Sequence, residues 1–380
     1  MTAIPDTPKI SRLRSALPFW VSLGLIPLAV FAAAHGGWAI ALLPLSTWYL
    51  FSALDYVVGQ NNENPDPETP EIQLIWYRLI TLLWTPAQLL TIFGIMAYVV
   101  STDHLNRWEE WVLFAALGIL SGTIGITYSH ELMHQKPKLE RWMADILLAS
   151  VLYSHFRSEH LLVHHRYVGT PRDPVTARYG ETFYRFFPRV LYQSLISSFK
   201  AEKGMLTRKN LPWHHKSNPF WLYLGLQAGF VLLAGLIGGW WGVFLFSVQA
   251  FWAVFQLELV DYVEHYGLTR KHLGDGKYEH VLPRHSWNAT QYASNWLLIN
   301  LQRHSDHHYK PNRRFPLLQT YDEDEAPQLP YGYPLMTMIA LVPLAWRKTM
   351  NPRVKAWRKH YYPEIKDWGP YKTASNPMPR

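Results

Sequence analysis

Long stretches without a single charged side chain constrain this sequence more than any other feature. Residues 17–34, 38–54, 79–101 and 111–128 contain no Asp, Glu, Lys or Arg, and residues 217–257 form another such stretch. A helix needs roughly 17–25 predominantly apolar residues to span the hydrocarbon core of a bilayer. The first four stretches are each near that length, and the last is long enough for two spans. The sequence therefore predicts a polytopic membrane protein.

The predicted fold is all-α, with six transmembrane helices and a histidine-rich catalytic cap on the cytoplasmic side. The last long stretch is divided at Gly238-Gly239, because paired glycines interrupt a helix. The mean hydropathy of −0.10 is compatible with this fold, since the charged residues are concentrated in 129–216 and 267–380. The expected spans are about 16–34, 38–58, 77–101, 110–134, 218–237 and 240–266.

Lysine and arginine residues set the expected orientation. The connections at 35–37 and 102–109 contain a single basic residue, Arg107, whereas 129–216 is rich in both types. The positive-inside rule therefore places the basic regions in the cytoplasm, although the acidic loop at 61–71 does not follow the pattern. The expected organisation is an N-terminal cytoplasmic segment, a single membrane-embedded domain with two cytoplasmic regions, and a C-terminal tail or linker: 1–15, 16–345 (with 129–217 and 267–345 cytoplasmic) and 346–380.

The chain has no cysteine. This excludes disulfides, thiolate catalysis, Cys-ligated zinc, and an iron–sulfur or rubredoxin-type iron within the chain. Any metal site must therefore use histidine and carboxylate ligands. The net charge of +8 favours a face that meets anionic lipid or an acidic partner. DNA binding is a poor alternative, because the basic residues flank membrane spans.

Half of the 18 histidines fall into four compact groups. On the expected topology every grouped histidine lies on the cytoplasmic side, whereas His35 and His104 lie outside. Random scatter does not give that partition. The grouped histidines are His130, His134, His160, His164, His165, His265, His304, His307 and His308.

The first two groups have helical spacing. In HELMH (130–134) the two histidines are four residues apart and share the face of a helix that extends the fourth span beyond the membrane. This motif also matches the HExxH pattern of zinc proteases, in which Glu131 is a general base. In HLLVHH (160–165) we expect His160 and His164 to share a face, with His165 offset by about 100°. Adjacent histidines on one helix suit two metals side by side, and the alternative is a basic surface helix.

The other two groups complete the set. His265 ends the sixth span beside Asp261 and Glu264, where ionisable residues are costly without a function, although a polar residue at the membrane interface is an alternative. HSDHH (304–308) brings three histidines within about 100° on a helix. The alternative for this stretch is a solvated polar loop.

Together the four groups predict a pair of metals. Nine neutral imidazoles presented from four helices at one membrane face exceed the four ligands of a single zinc. They suit two metals that keep open coordination positions. Imidazole binds iron, zinc, copper or nickel, so residue type alone does not name the metal.

These groups, in this order, resemble the histidine boxes of the integral-membrane alkane hydroxylases, within the wider membrane diiron class that includes the fatty-acid desaturases. The boxes are HELMH (130–134), HLLVHH (160–165) and the histidines of LQRHSDHH (301–308), and the additional EHYG (264–267) favours the hydroxylase branch. The resemblance covers about residues 17–345.

The resemblance implies a reaction. The nine grouped histidines are implied to bind two non-haem iron ions, and the enzyme is implied to hydroxylate the terminal methyl of medium-chain n-alkanes to 1-alkanols with O₂. Electrons are implied to come from rubredoxin, reduced in turn by an NAD(P)H-dependent reductase. Because the chain has no cysteine, that rubredoxin is separate or fused beyond this chain. The implied location is the bacterial inner membrane, with the active site facing the cytoplasm.

The chemistry agrees with the resemblance. An alkane C–H bond offers side chains no acid, base or electrophile, so a redox metal is needed. Carboxylates near the histidines are candidates for orienting ligands or passing protons, and ordinary ion pairing is the alternative. These candidates are Glu131, Glu159, Asp261, Glu264 and Asp306.

Two further predictions concern the substrate and the electron donor. A channel between spans is expected to deliver the alkane lengthwise from the bilayer, and bulky side chains would limit its length. The candidates are Trp48, Phe51 and Ile124, which alternatively face lipid or the core. A docking surface for an acidic electron donor is expected at the basic run of Lys310, Arg313 and Arg314.

Other functions remain open at the level of sequence. A desaturase or an aryl-methyl hydroxylase of the xylene monooxygenase kind would use a similar diiron site. A metal transporter would need polar residues near mid-membrane, which the apolar spans scarcely contain. A membrane zinc protease based on HELMH would leave most of the grouped histidines unexplained.

Overall fold

The computed structural model describes residues 13–369, which are mostly helical. Residues 1–12 of the expected N-terminal segment and 370–380 of the expected tail lie outside the described residues. The only strands in the described part are β1 (His272–Gly274) and β2 (Lys277–Tyr278), an antiparallel pair. In chain order the helices are α1 (Leu13–His35), α2 (Gly37–Val58), α3 (Glu71–Thr102), α4 (Arg107–Met133), α5 (Lys138–Ala149), α6 (156–167), α7 (Phe183–Arg208), α8 (220–237), α9 (240–265), α10 (Tyr292–Leu297), α11 (His304–Tyr309), α12 (Tyr333–Ala340) and α13 (Pro343–Tyr361).

Among residues 13–369, five helical segments are long and apolar enough to cross a membrane: α1, α2, α3, α4 and the segment Phe220–His265. That last segment has 46 residues and leaves helical geometry at Gly238 and Gly239. A Cβ on Gly242 would lie 2.3 Å from the Ala234 carbonyl oxygen, whereas residues eight apart on a continuous helix are separated by about 12 Å. The chain therefore reverses at the two glycines, and α8 and α9 are the antiparallel arms of a hairpin.

Two glycines let α4 and α9 pack closely. A Cβ on Gly118 would lie 2.4 Å from the Gln249 carbonyl oxygen, and one on Gly122 would lie 2.5 Å from that of Ala253. Small residues allow membrane helices to approach at backbone distance. Because both contacts advance in the same direction, α4 and α9 run parallel. Their C-terminal ends, which carry His130 and His265, therefore lie side by side.

The helices consequently have a histidine end and an opposite end. At the opposite end the Gly37 amide donates to Glu109 at 3.0 Å, and His104 Nε2 lies 2.9 Å from the Ala33 carbonyl oxygen. At the histidine end, Phe315, which follows α11 in the chain, packs against Phe19 and Tyr77 at ring distances of 5.3 and 5.6 Å.

The C-terminal helix α13 belongs to the folded body, so the tail expected from residue 346 onward begins too early. Trp346, Met350, Val354 and Trp357 form an apolar stripe along α13 and are buried in a second core. Their spacing of three to four residues is helical. This stripe is hard to recognise in the sequence, because lysine and arginine are frequent between its members in 346–361.

Candidate metal centre

All nine grouped histidines come together at the histidine end, in two adjoining sets. The ligand atoms within each set lie within 4.8 Å of one another. The five-histidine site is His130, His134, His160, His165 and His307. The four-histidine site is His164, His265, His304 and His308.

The five-histidine site joins three helices. His130 lies in α4 and His134 is the residue directly after that helix, and both lie in this site. Their neighbour from α6 is His160, whose Nε2 lies 3.1 Å from that of His134. His165 Nε2 lies 2.9 Å from His160 Nε2 and 3.1 Å from that of His307 in α11. His165 is the one residue of the nine that is only partly buried.

The four-histidine site is enclosed and also joins three helices. His304 Nε2 lies 3.1 Å from that of His265 and 3.0 Å from that of His308. His164 Nε2 lies 3.2 Å from that of His308. The sites touch, because the rings of His165 and His308 are 4.7 Å apart.

The pairing within HLLVHH differs from the sequence expectation that His160 and His164 share a face. Residues His160–His164 form a π turn, in which the His165 amide donates to the His160 carbonyl. Five-residue hydrogen bonding stacks residues five apart rather than four. His160 and His165 therefore point into one site, and His164 points into the other. The three histidines of α11 are also divided between the sites. His307 belongs to the five-histidine site, whereas His304 and His308 belong to the four-histidine site.

The imidazoles are held in their neutral, metal-binding form. Burial lowers the pKa of His134 to about 3. Burial, followed by the proximity of the other histidines, also holds the pKa values of His160, His307 and His308 well below the usual value. A neutral imidazole has a free lone pair, so these residues can bind a metal ion.

Acidic side chains gather beside the four-histidine site. Asp173 Oδ2 lies 3.0 Å from His164 Nδ1 and accepts from the Thr176 hydroxyl at 2.7 Å. Glu264 Oε2 lies 3.3 Å from His304 Nε2. Hydrogen bonding to Nδ1 fixes which ring nitrogen faces a metal. Asp173 was not among the residues predicted from the sequence, where its only signal is a Pro-flanked acid, PRDP, nine residues after His164.

The other expected carboxylates have distinct surroundings. Both oxygens of Glu159 are buried without a hydrogen-bond partner, and burial, followed by Asp173 and Glu258, raises the pKa of this carboxyl well above the usual value. Glu258, also missed, accepts from the Tyr153 hydroxyl at 2.7 Å. Asp261 is buried with one oxygen unpartnered. We call the buried acids beside this site the acid cluster: Glu159, Asp173, Glu258, Asp261 and Glu264.

Glu131 and Asp306 make contacts of a different kind. Glu131 accepts from the Gln135 amide at 3.0 Å. Asp306 accepts from Arg313 at 2.6 and 2.7 Å and from the Tyr321 hydroxyl at 2.7 Å. Asp306 therefore anchors the loop that follows α11.

The basic run predicted as a docking surface is exposed only in part. Lys310 is exposed. Arg313 is paired with Asp306, and Arg314 is buried and paired with Glu140 at 3.0 Å. Arg314 is therefore unavailable to a partner, because its guanidinium has a buried anionic partner of its own.

A narrow cavity leads from the histidines between α4 and α9. Its histidine end is formed by His130, His160 and His304. The membrane part of its lining is Gly122, Thr123, Ile126, Thr127, Leu257 and Val260. The three predicted channel residues are not among its lining residues. Phe51 and Ile124 are in the core, and Trp48 donates to Gln256 at 3.1 Å.

The site fits two metal ions. The Nε2 atoms converge, the Nδ1 atoms of His265, His304 and His308 have no hydrogen-bond partner, and the donor set is entirely imidazole nitrogen with acids behind it. Imidazole donors suit iron, zinc, copper and nickel. The fold and the site together define a helical membrane protein with two adjoining histidine sets, each suited to hold a metal ion.

Comparison with known proteins narrows this class. The sequence profile of the fatty acid desaturase family matches residues 106–340. Alkane 1-monooxygenase 2 of Alcanivorax borkumensis is 35% identical over 371 residues, which cover 93% of each chain. Alkane 1-monooxygenase 2 of Pseudomonas aeruginosa is 38% identical over 348 residues, covering 84% of this chain and 91% of that protein. The chain belongs to the alkane 1-monooxygenases of the fatty acid desaturase family.

A more distant relative corresponds to one of the alternatives from the sequence. The hydroxylase component XylM of a xylene/toluene monooxygenase from Pseudomonas putida is 28% identical over 259 residues, which cover 67% of this chain. Its similarity is weaker and shorter than that of the alkane 1-monooxygenases. The family is one of oxygenase enzymes, which confirms the prediction of an enzyme over that of a transporter.

Proposed function

We propose that the protein hydroxylates the terminal methyl group of medium-chain n-alkanes to 1-alkanols. The balanced reaction takes one alkane, one O₂, two electrons and two protons to one alkanol and one water. The observation that carries the proposal is the position of the cavity. It begins at His130, His160 and His304, where the two histidine sites meet, and continues between two membrane-spanning helices. A chain that enters from the bilayer therefore meets the metal centre end first.

Two non-haem irons are the proposed cofactor, one in each histidine site. When bound, they supply the redox chemistry with O₂ that side chains lack. The five-histidine site would hold one iron with His130, His134, His160, His165 and His307. The four-histidine site would hold the other with His164, His265, His304 and His308. Asp173 would orient His164, because its carboxylate meets the ring nitrogen that points away from the site.

The cavity lining assigns roles to other residues. Ile126, Leu257 and Val260 present apolar surface to the alkyl chain and exclude water from it. Asp261 and Glu264 reach the histidine end of the same cavity. We assign to Asp261 Oδ2 and Glu264 Oε1, which have no partner, the task of holding protons next to the reacting methyl.

We also propose six membrane spans, with α8 and α9 each crossing the bilayer. At 1.5 Å per residue, α8 and α9 are about 27 and 39 Å long, near or above the roughly 30 Å hydrocarbon core. The histidine end would face the cytoplasm of a bacterial inner membrane. Supporting this orientation, the basic regions 134–216 and 267–369 lie at the histidine end, and the turn at Gly238-Gly239 carries no charge.

Rubredoxin is the proposed electron donor, reduced by its own reductase. It would dock over the five-histidine site, where His165 is partly exposed. Three exposed cations each follow a histidine segment of that region: Lys136, Arg166 and Lys310. Lys310 is kept from the docking surface expected from the sequence, and Lys136 and Arg166 take the place of Arg313 and Arg314, which are engaged in ion pairs.

The deciding experiment measures metal content and product identity on the purified protein in lipid. We expect two irons per chain and 1-octanol from octane, with O₂ and reduced rubredoxin supplied. Parallel incubations with p-xylene and with an acyl lipid test the alternative oxygenase and desaturase activities. Preferential oxidation of the methylarene, or a double bond in the acyl chain, would overturn the proposal.

A further inference from the structure

A hydrogen bond joins two membrane helices immediately behind the cavity. The indole N–H of Trp48 in α2 donates to Gln256 Oε1 in α9 at 3.1 Å. Gln256 is 3% exposed, so its amide has no access to water. A polar group in such surroundings is costly to leave unpaired. The bond therefore holds the indole in one position.

The bond lies at the end of the cavity that is farthest from the histidines. Gly122 lines that end, and a Cβ on Gly122 would lie 2.8 Å from Gln256 Cβ. Leu257, the next residue after Gln256, also lines the cavity. Gly122 precedes His130 by eight residues, which is about 12 Å along a helix. Gln256 and Trp48 thus stand behind the wall that limits the cavity on its membrane side.

We propose that Gln256 is a positioning residue that fixes Trp48 behind the end of the cavity and thereby sets the length of alkyl chain that the site accepts. The inference rests on the proposed alkane hydroxylation. When the hydrogen bond is absent, the indole can rotate away from Gln256. The end of the cavity then becomes deformable, and longer chains fit.

The backbone of α2 around Trp48 also departs from regular α-helical geometry. Leu45–Leu50, which includes Trp48, forms a π turn. Such turns redirect side chains and occur often at functional sites. A π turn also occurs in α4 at Ser121–Ile126, beside the same end of the cavity.

The chain offers a matched control. Gln249 lies seven residues before Gln256, on the same face of α9, and is completely buried. Neither polar atom of its side chain has a hydrogen-bond partner. Gln249→Met therefore removes a buried amide from the same helix without removing a bond to Trp48.

The test compares Gln256→Met, Trp48→Phe, their combination, Gln256→Glu and Gln249→Met in the iron-loaded protein in lipid. We measure the ratio of kcat/KM for dodecane to that for octane. Gln256→Met and Trp48→Phe each remove the bond, and each should raise this ratio roughly tenfold. That factor is the lower end of the discrimination that an apolar pocket achieves per methylene group. The combination should add nothing to either single change, because both remove the same bond. Gln256→Glu keeps an acceptor oxygen and should restore the original ratio, and Gln249→Met should not alter it.

An independent binding measurement separates this proposal from the proposed function. Each alkane should raise the Tm of the protein, and a more tightly bound alkane should raise it further at the same concentration, whether or not turnover occurs. Gln256→Met should increase the rise with dodecane relative to that with octane. Unchanged chain-length ratios in Gln256→Met and Trp48→Phe, at normal iron content, would overturn the role of Gln256. Additive effects in the combination would overturn it as well. Absence of alkanol from the wild type, with these Tm shifts intact, would overturn only the hydroxylation.

Discussion

The two histidine sites have similar ligands but different surroundings. The five-histidine site reaches the surface at His165, and two of the acids adjacent to its histidines in sequence, Glu131 and Asp306, are bound to Gln135 and Arg313. The four-histidine site is completely enclosed, and the acid cluster lies beside it. Within residues 13–369, no member of that cluster forms an ion pair with lysine or arginine; the basic side chains paired with Asp173 and Glu264 are His164 and His304.

Buried acids are therefore distributed unequally over the two sites. Buried carboxylates without cationic partners are unfavourable unless a positive charge compensates them. Neutral imidazoles do not provide that charge, so these acids are either protonated, as the raised pKa of Glu159 indicates, or compensated by a metal ion bound in the four-histidine site. A metal ion in the enclosed site would therefore be held tightly, and one in the open site would be better placed to exchange electrons with the proposed donor.

Deleting one histidine from each site gives the largest expected effect. His308→Ala leaves three ligands in the enclosed site, whereas His165→Ala leaves four in the open one. We expect His308→Ala to lose about one iron per chain and to lower turnover by more than about 100-fold. This loss exceeds the usual effect of replacing a residue that only hydrogen-bonds to a metal ligand. His165→Ala should keep most of its iron. Elemental analysis and alkanol formation measure both quantities.

His155→Ala is the matched control for these deletions. His155 lies in the same region, is partly buried and belongs to neither site. Its iron content should equal that of the wild type. Equal iron loss in His308→Ala and His165→Ala would show that the two sites are equivalent and would remove the distinction between them.

Asp173→Asn tests the acid cluster directly. The variant keeps the shape of the side chain and removes the carboxylate that meets His164 Nδ1. Loss of such a residue typically lowers metal affinity or activity by about 10–100-fold. Iron retention during dialysis against a chelator is the measurement. Glu202→Gln is the control, because Glu202 is a buried acid whose partner is Ser158, outside both sites. If both variants lost iron equally, the effect would belong to general destabilisation.

The membrane fold and the grouping of histidines were predictable because both depend on local pattern. Charge-free stretches locate spans, and four-residue spacing places His130 and His134 together. The division of His160 and His164 was not predictable, because a π turn leaves no mark in residue spacing. Asp173 and Glu258 reach the site through folding of distant segments. Arg314 shows a similar limit, since a basic run does not reveal which cation is buried against Glu140.

Lys310→Glu tests the open site as the place of electron transfer. We expect the KM for rubredoxin to rise several-fold at low salt and less at about 0.15 M, where charges farther apart than roughly 8 Å are screened. The kcat at saturating donor should not change. Lys355→Glu is the control, because Lys355 is exposed on α13, outside the histidine segments. Unchanged kinetics in Lys310→Glu would remove this surface as the docking site.

Glu131→Gln should have the smallest effect of these variants. It therefore tests whether the acid of the open site matters less than the acid cluster beside the enclosed site. Glu131 is the acid of HELMH, yet it contacts Gln135 rather than a histidine. A glutamine keeps an oxygen that accepts from Gln135, so the local bond survives at a cost of about 1 kcal/mol or less. We expect iron content to be unchanged and turnover to stay within about threefold, far above that of Asp173→Asn with its 10–100-fold loss. A zinc-protease role for HELMH requires the opposite result, because its general base would be lost. Abolished turnover in Glu131→Gln would thus place an essential acid at the open site and reverse the assignment of the two sites.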